Sequence, residues 1–373
     1  MNILILGGYG QTGKPLTRHL LQQTQHKLRI AGRHLDKAKS FCASLSAGSV
    51  SPLQVDARDP AALREALRGV DFLLVASPTT ANTELVVNTA LGAGVDYLDV
   101  QLSDEKLRIL QSHEQEINDK GLCFITEAGL HPGLPACMVR YAAAKLDAIE
   151  TALSALYMSL NGGVEYTEAV DELVDLFQHY QGQVYTKGAW TKPGSYSSHR
   201  FDFGEDIGKR PCYSMFLEEL RALPGMLPSL KETGLYVSST GWLVDAVTML
   251  LMLGLGITPR RLRKFLGRAV WWTMTNLSSK PYGFLMQTEA TGRSSGQPAS
   301  LRLRLAHEDG YEFTAIPVVA LLMQYNAIRK PGLHMMGHLC NPERLVADMG
   351  SMGVKVSEVV RQGSNFGGEG GAS

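Results

Sequence analysis

The sequence predicts an α/β protein: a Rossmann-type, doubly wound parallel sheet with an inserted mixed α/β substrate domain. Three observations carry that reading. From residue 1 to about 130, short apolar runs alternate with amphipathic segments, the pattern of βαβ units whose sheet is covered on both faces. A glycine-rich run, Gly7-Gly-Tyr-Gly-Gln-Thr-Gly13, sits between the first apolar run and the first helical one. Near residue 131 the alternation stops, and a chain of 373 residues favours a second core.

The expected strands of the first domain are 2–6, 27–32, 50–56, 71–77, 96–100 and 122–128. The expected helices are 12–23, 35–45, 60–68, 81–93 and 103–119. The segment HPGLPACMVRYAAAK then reads as a proline turn entering a helix. Between 150 and 205 lie β-like pieces (TALSALYMSL, FDF), a helix near 165–179 and a loop around KPGSYSS. A helical block follows from about 214 to 277. LRLRLAHEDGYEFTAIPV reads as a hairpin with Glu-Asp-Gly at its tip. The resulting domains are 1–130, completed by 315–373, for the nucleotide, and 131–314 for substrate and dimerisation.

Composition removes several function classes. Lys plus Arg and Asp plus Glu are equal at 36 each, so no global field recruits nucleic acid, and no basic, aromatic-interleaved patch does so locally. Five scattered cysteines without a CxxC pair fit reduced thiols. With no basic and apolar leader at the start, a cytoplasmic location is expected. The terminal SNFGGEGGAS reads as a loose tail.

From Thr233 to Thr258 only Asp245 is charged. Its uncharged part, AVTMLLMLGLGI with Met249 and Met252, spans about 18 Å as a helix, short of the about 30 Å hydrocarbon core. A buried helix is expected there, with a membrane or homodimer contact as the alternative.

In Gly8-Tyr9-Gly10-Gln11-Thr12-Gly13 the glycines fall on a strand–turn–helix, the context of a dinucleotide cradle. Gly8 permits the turn, Gly10 admits a diphosphate, and Gly13 lets helix and strand approach. Free amides at the helix start then face the phosphates. The second strand ends in Gly32-Arg33-His34 with no acid. A ribose 2′-hydroxyl partner is therefore missing, and Arg33 is placed to grip a 2′-phosphate, which selects NADP. Asp56, at the end of the third strand, falls near an adenine site, although a helix-cap role also fits. Ser77 and Pro78, with Thr79, follow the fourth strand toward the nicotinamide ribose.

GGYGQTG, AGRHLDKA and EAGLHPGLP, in that order, resemble the saccharopine dehydrogenase-like oxidoreductases. The resemblance runs through most of the chain. It implies an NADP-binding first domain, a mixed α/β middle domain and C-terminal helices that return to the first. TGRSSGQPASLRLRLAHEDGYEFTA and KPGLHMMGHLCNPERLVADMGSMGV are similar to the family's hairpin, return helix and closing helix. Saccharopine reductases carry Asp-Pro-Gly where this chain has His131-Pro132-Gly133, so an imidazole replaces an acid that helps recognise an amino-dicarboxylate. The expected activity is hydride transfer to or from a small molecule in the interdomain cleft.

Hydride transfer also needs a proton donor or acceptor. His131, on the loop between the domains, is the first candidate, because the ordinary imidazole pKa of about 6.5 suits neutral pH. It could equally brace the His-Pro turn. Glu127 is placed to orient it, or is a plain strand-end carboxylate. Tyr141 and Lys145 form a YxxxK on one helix face, the pair of short-chain dehydrogenases, but that family's serine is absent upstream. His334 and His338 lack a third metal ligand. Trp271, Trp272 and Tyr282 read as core or as pocket lining. A non-catalytic nucleotide-binding or membrane-associated scaffold is the competing class.

Overall fold

Residues 1–45, 48–161, 182–192, 198–238 and 260–363 are described by the structure, a computed structural model. The chain divides into two units. The first comprises Met1–Cys137 and Asp309–Gly353; the second comprises Met138–Glu308 and Val354–Ser373.

The first unit is built on a parallel sheet. Its strands are β1 (Asn2–Leu6), β2 (Lys27–Gly32), β3 (Val50–Gln54), β4 (Phe72–Val75), β5 (Asp96–Asp99), β6 (Cys123–Thr126) and β15 (Gly332–Met335), in the order β15-β6-β5-β4-β1-β2-β3. Ile3, Leu4 and Ile5, and all four residues of β4, are buried. Such continuous apolar strands need helices on both faces. These are α1 (Gly13–Gln23), α2 (Leu35–Ala43), α3 (Pro60–Ala66), α4 (Thr83–Ala93), α5 (Asp104–Ser112) and α6 (Glu114–Asp119). The single helix expected over 103–119 is broken at His113. Strand β1 is flanked by β2 and β4, so the topological switch lies at its carboxyl end, where sheets of this type take ligands.

Helix α7 (Leu134–Lys145) follows β6, and the boundary between the units falls within it. The second unit carries a mixed sheet ordered β10-β11-β12-β7-β13-β14-β16: β7 (Ala148–Ser159), β10 (Ser198–Asp202), β11 (Lys209–Met215), β12 (Glu232–Ser238), β13 (Gly283–Ser294), β14 (Gln297–His307) and β16 (Lys355–Gln362). Short strands β8 (Val184–Thr186) and β9 (Ala189–Thr191) join through β12. Tyr157, Phe201, Phe203 and Tyr236 pack with Val184 and Cys212 into its aromatic core.

Three expectations need correction. The hairpin tip is at Ser295-Gly296, between β13 and β14, where both residues have positive φ. Glu308-Asp-Gly310 instead opens a helix, α9 (Gly310–Ile328), because the Asp309 carboxylate accepts from Tyr311 N at 2.7 Å and Glu312 N at 3.0 Å. The resemblance had indicated a helix there. The expected helical block from 214 contains strand β12, and its β-branched, aromatic ETGLYVS pairs in parallel with β7. The return to the first unit does not extend to residue 373, since β16 pairs antiparallel with β14 in the second sheet. The helix expected near 165–179, most of KPGSYSS, and 239–258 of the apolar stretch lie outside the described residues. Helix α8 (Arg260–Asn276) follows that gap. No helix among the described residues is long and apolar enough to cross a membrane.

Candidate dinucleotide site and the strand ends around it

The loop from β1 to α1 is shaped by backbone contact. Gly7 has φ +84°, and its amide donates to Ala31 O at 2.8 Å. A Cβ on Gly13 would lie 2.1 Å from Gly7 O and 2.7 Å from Gly8 C, so the helix start can pass this close only with glycine. The amides of Gly10 and Lys14 donate to Gly7 O and Gly10 O. Among the described residues, the amides of Gln11, Thr12 and Gly13 donate to none. Three open donors at the start of an 11-residue helix fit a diphosphate, for which both the donors and the helix dipole are suited. Gly8 lies against Ile30 and Ile5, holding the loop on the sheet.

Tyr9 reaches sideways from this loop. Its ring covers Gly32, where a Cβ would meet the phenol oxygen at 2.5 Å, and that oxygen accepts from His34 N at 2.9 Å. Arg33 and His34 are exposed at this strand end, and Gln54 Nε2 donates to Arg33 O at 3.1 Å. The expected strand over 50–56 stops at Gln54, leaving Asp56 in the next loop. Asp56 is not the cap of α3; Asp59 is, accepting from Ala61 N and Ala62 N. Asp56 instead receives the Arg58 guanidinium, with Nη2 to Oδ2 at 2.6 Å and Nε to Oδ1 at 3.0 Å. Arg58 holds its carboxyl down at about 2, with a smaller contribution from Arg33. Arg58 was not singled out from sequence; its signal was its place two residues beyond a strand-end acid.

On the other side of β1, Ser77 Cβ lies where a Gly7 Cβ would be 2.7 Å away, so the loop after β4 touches the glycine loop. Pro78 is exposed and Thr79 buried. Ser77 O accepts from Gln101 Nε2 at 2.6 Å. Behind it sits a buried ionic group. Lys106 is 1% exposed and Asp99 fully buried, with Nζ 3.6 Å from Oδ2. Lys106 Nζ also donates to Gln101 Oε1, while Thr126 Oγ donates to both Asp99 oxygens at 3.1 Å. Sequence reasoning missed Asp99, Gln101 and Lys106, since nothing local marks a lysine on an amphipathic helix as buried.

Glu127 and His131 follow β6 in the first unit. Glu127 is buried with φ +53°, which ends the strand before the expected residue 128. Gly129 and Gly133 have positive φ, and a Cβ on Gly133 would lie 2.5 Å from Met336 Cε, so the loop is packed down. His131 keeps part of its surface accessible, but the protein around the ring desolvates it and lowers its pKa to about 4. The expected near-neutral pKa is therefore corrected: the imidazole is uncharged at pH 7 because burial disfavours the cation.

Tyr141 and Lys145 belong to the second unit. The Tyr141 hydroxyl donates to Glu358 Oε2 at 2.7 Å, and Lys145 Nζ lies 5.4 Å from the Tyr141 ring centroid. His334 Nε2 lies 3.2 Å from the carbonyl oxygens of Lys330 and Pro331. Among the described residues no three His, Cys, Asp or Glu side chains group as metal ligands. Trp272 and Tyr282 are exposed rather than core.

A glycine cradle at the switch point of a parallel sheet, with open helix amides, defines a dinucleotide-binding protein of the Rossmann class. The comparisons name the kind. Residues 3–122 match the saccharopine dehydrogenase NADP binding domain. That stretch, which carries the cradle, Arg33 and the Ser77 loop, is an NADP(H)-binding domain similar to that of saccharopine dehydrogenases. The chain is 23% identical to carboxyaminopropylagmatine dehydrogenase of Synechocystis over 237 residues, 61% of this chain and 59% of that relative. The match thus spans somewhat more than half of the relative's length. Apo saccharopine dehydrogenase (L-Glu forming) from Saccharomyces cerevisiae shares the fold, with a TM-score of 0.68 at 13% identity, covering 96% of this chain and 99% of that one.

Proposed function

We propose that the protein is an NADP(H)-dependent oxidoreductase acting on a small molecule. The first unit carries the nucleotide and the second supplies substrate contacts. What supports this most is the helix start: three open amides meet beside a glycine that has no room for a Cβ. The amides of Gln11, Thr12 and Gly13 hold the diphosphate, and Gly10 lets it approach while Gly8 packs the loop onto the sheet. Tyr9 and Asp56 border the adenosine, with Arg33 on its 2′-phosphate. Ser77 and Pro78 lie toward the nicotinamide ribose. Bound NADP(H) supplies or takes the hydride.

His131 handles the proton. Uncharged at neutral pH, it is ready to accept one in the oxidative direction, with Glu127 as the positioning residue. The name of the Synechocystis relative contains a carboxyl and an amino group, so carboxylated amines are the first class to screen. A soluble, cytoplasmic homodimer completes the proposal. No observation favours the Tyr141/Lys145 reading, because the tyrosine hydroxyl is engaged by Glu358.

The test is a titration of the purified protein with NADPH and NADH, followed by protein fluorescence, and then a metabolite screen with the preferred form. Tighter binding of NADPH is expected. Failure to bind either cofactor would remove the enzyme assignment and favour a scaffold.

A further inference from the structure

We propose that Arg58 is a second cationic ligand for the adenosine 2′-phosphate of NADP(H), set beside Arg33 by the carboxylate of Asp56. The inference rests on the NADP(H) reading above and adds a specificity residue to it.

The ends of β2 and β3 are tied together. Val55 N donates to Gly32 O at 3.0 Å, and Gln54 Nε2 to Arg33 O at 3.1 Å. The loop carrying Asp56 and Arg58 is therefore held next to Arg33. Asp56 takes Arg58 as a fork: Nε to Oδ1 at 3.0 Å and Oδ2 at 3.2 Å, Nη2 to Oδ2 at 2.6 Å, and the Arg58 amide to Oδ1 at 3.0 Å. A guanidinium has five N–H donors, and this fork engages only its Nε and Nη2 edge. Among the described residues Nη1 meets no acceptor. Asp59, the next acid along, is turned away by its capping bonds to α3.

Charge explains why one arginine is insufficient. Asp56 lies close enough to Arg33 to feel its cation. With Arg33 alone, the carboxylate would offset part of the positive charge that draws a phosphate. Arg58 makes it two guanidiniums against one carboxylate, a net positive site for a dianion. The Asp56 fork also limits the rotamers of Arg58, reducing the entropy lost when phosphate arrives.

The experiment titrates wild type, Arg58→Gln, Arg58→Lys and Arg33→Gln with NADPH, NADH and adenosine 2′,5′-bisphosphate by calorimetry. Arg58→Gln is expected to weaken NADPH and the bisphosphate about tenfold, the scale of one charge-assisted hydrogen bond at an exposed site. It should leave NADH unchanged. Arg58→Lys should recover part of the loss, and raised salt should shrink the wild-type advantage. Equal NADPH affinity in wild type and Arg58→Gln, or an equal loss for both cofactors, overturns the proposal while the NADP(H) reading stands. Wild type that binds neither cofactor overturns both.

Discussion

Replacing His131 with glutamine tests the burial of that ring directly. The imidazole titrates at 6.5 when unperturbed and at about 4 in the folded chain. The unfolded chain therefore binds the proton more readily. The resulting stability is fully present above pH 6.5 and is lost as pH falls through 6.5 toward 4. Linkage between those two values gives a loss of about 2 kcal/mol at pH 5 relative to pH 8. Urea unfolding of wild type and His131→Gln at both pH values isolates the term, because every other titrating group is common to the two proteins. The stability difference between pH 8 and pH 5 should be smaller in the variant by about 2 kcal/mol. An unchanged pH dependence would mean that the ring is hydrated in the folded state. The imidazole would then titrate near its ordinary value, and burial would not be what keeps it uncharged at neutral pH.

Three further outcomes are expected. Gly13→Ala must displace backbone, since its Cβ would fall 2.1 Å from Gly7 O; an overpacking cost of about 1–3 kcal/mol should weaken NADPH at least about tenfold by calorimetry, with the circular dichroism spectrum retained. Lys106→Met strands the buried Asp99 carboxylate and should destabilise the first unit by about 3 kcal/mol or more in chemical denaturation; a loss below about 1 kcal/mol would indicate water at the pair. Asp309→Ala removes the acceptor for two amides of α9 and should lower stability by about 1 kcal/mol, whereas Asp309→Asn, which keeps an acceptor, should stay near wild type.

What was legible in the sequence was whatever depends on neighbours along the chain. NILIL followed by GGYGQTG announces a strand, a tight turn and a helix start, and that local order is enough to define the nucleotide cradle. The parallel sheet of the first unit was legible for the same reason, because strands buried on both faces must be apolar throughout. The glycine loop, the Ser77 loop and the exposed Arg33 accordingly stand at the carboxyl ends of adjoining strands.

The tertiary structure decided everything that depends on residues distant in sequence. LRLRLAHEDG carries a turn-like tip, yet Asp309 satisfies two helix amides and starts α9 instead. ETGLYVS sits in an apolar stretch that reads as helix, and only the register with β7 makes it a strand. KVSEVVRQ is drawn into the second sheet by a partner some fifty positions earlier. The same holds for electrostatics. Burial is a property of the surrounding shell, so neither the depressed pKa of His131 nor the enclosed Asp99–Lys106 pair could be read from residue identity, which sets only the value in water.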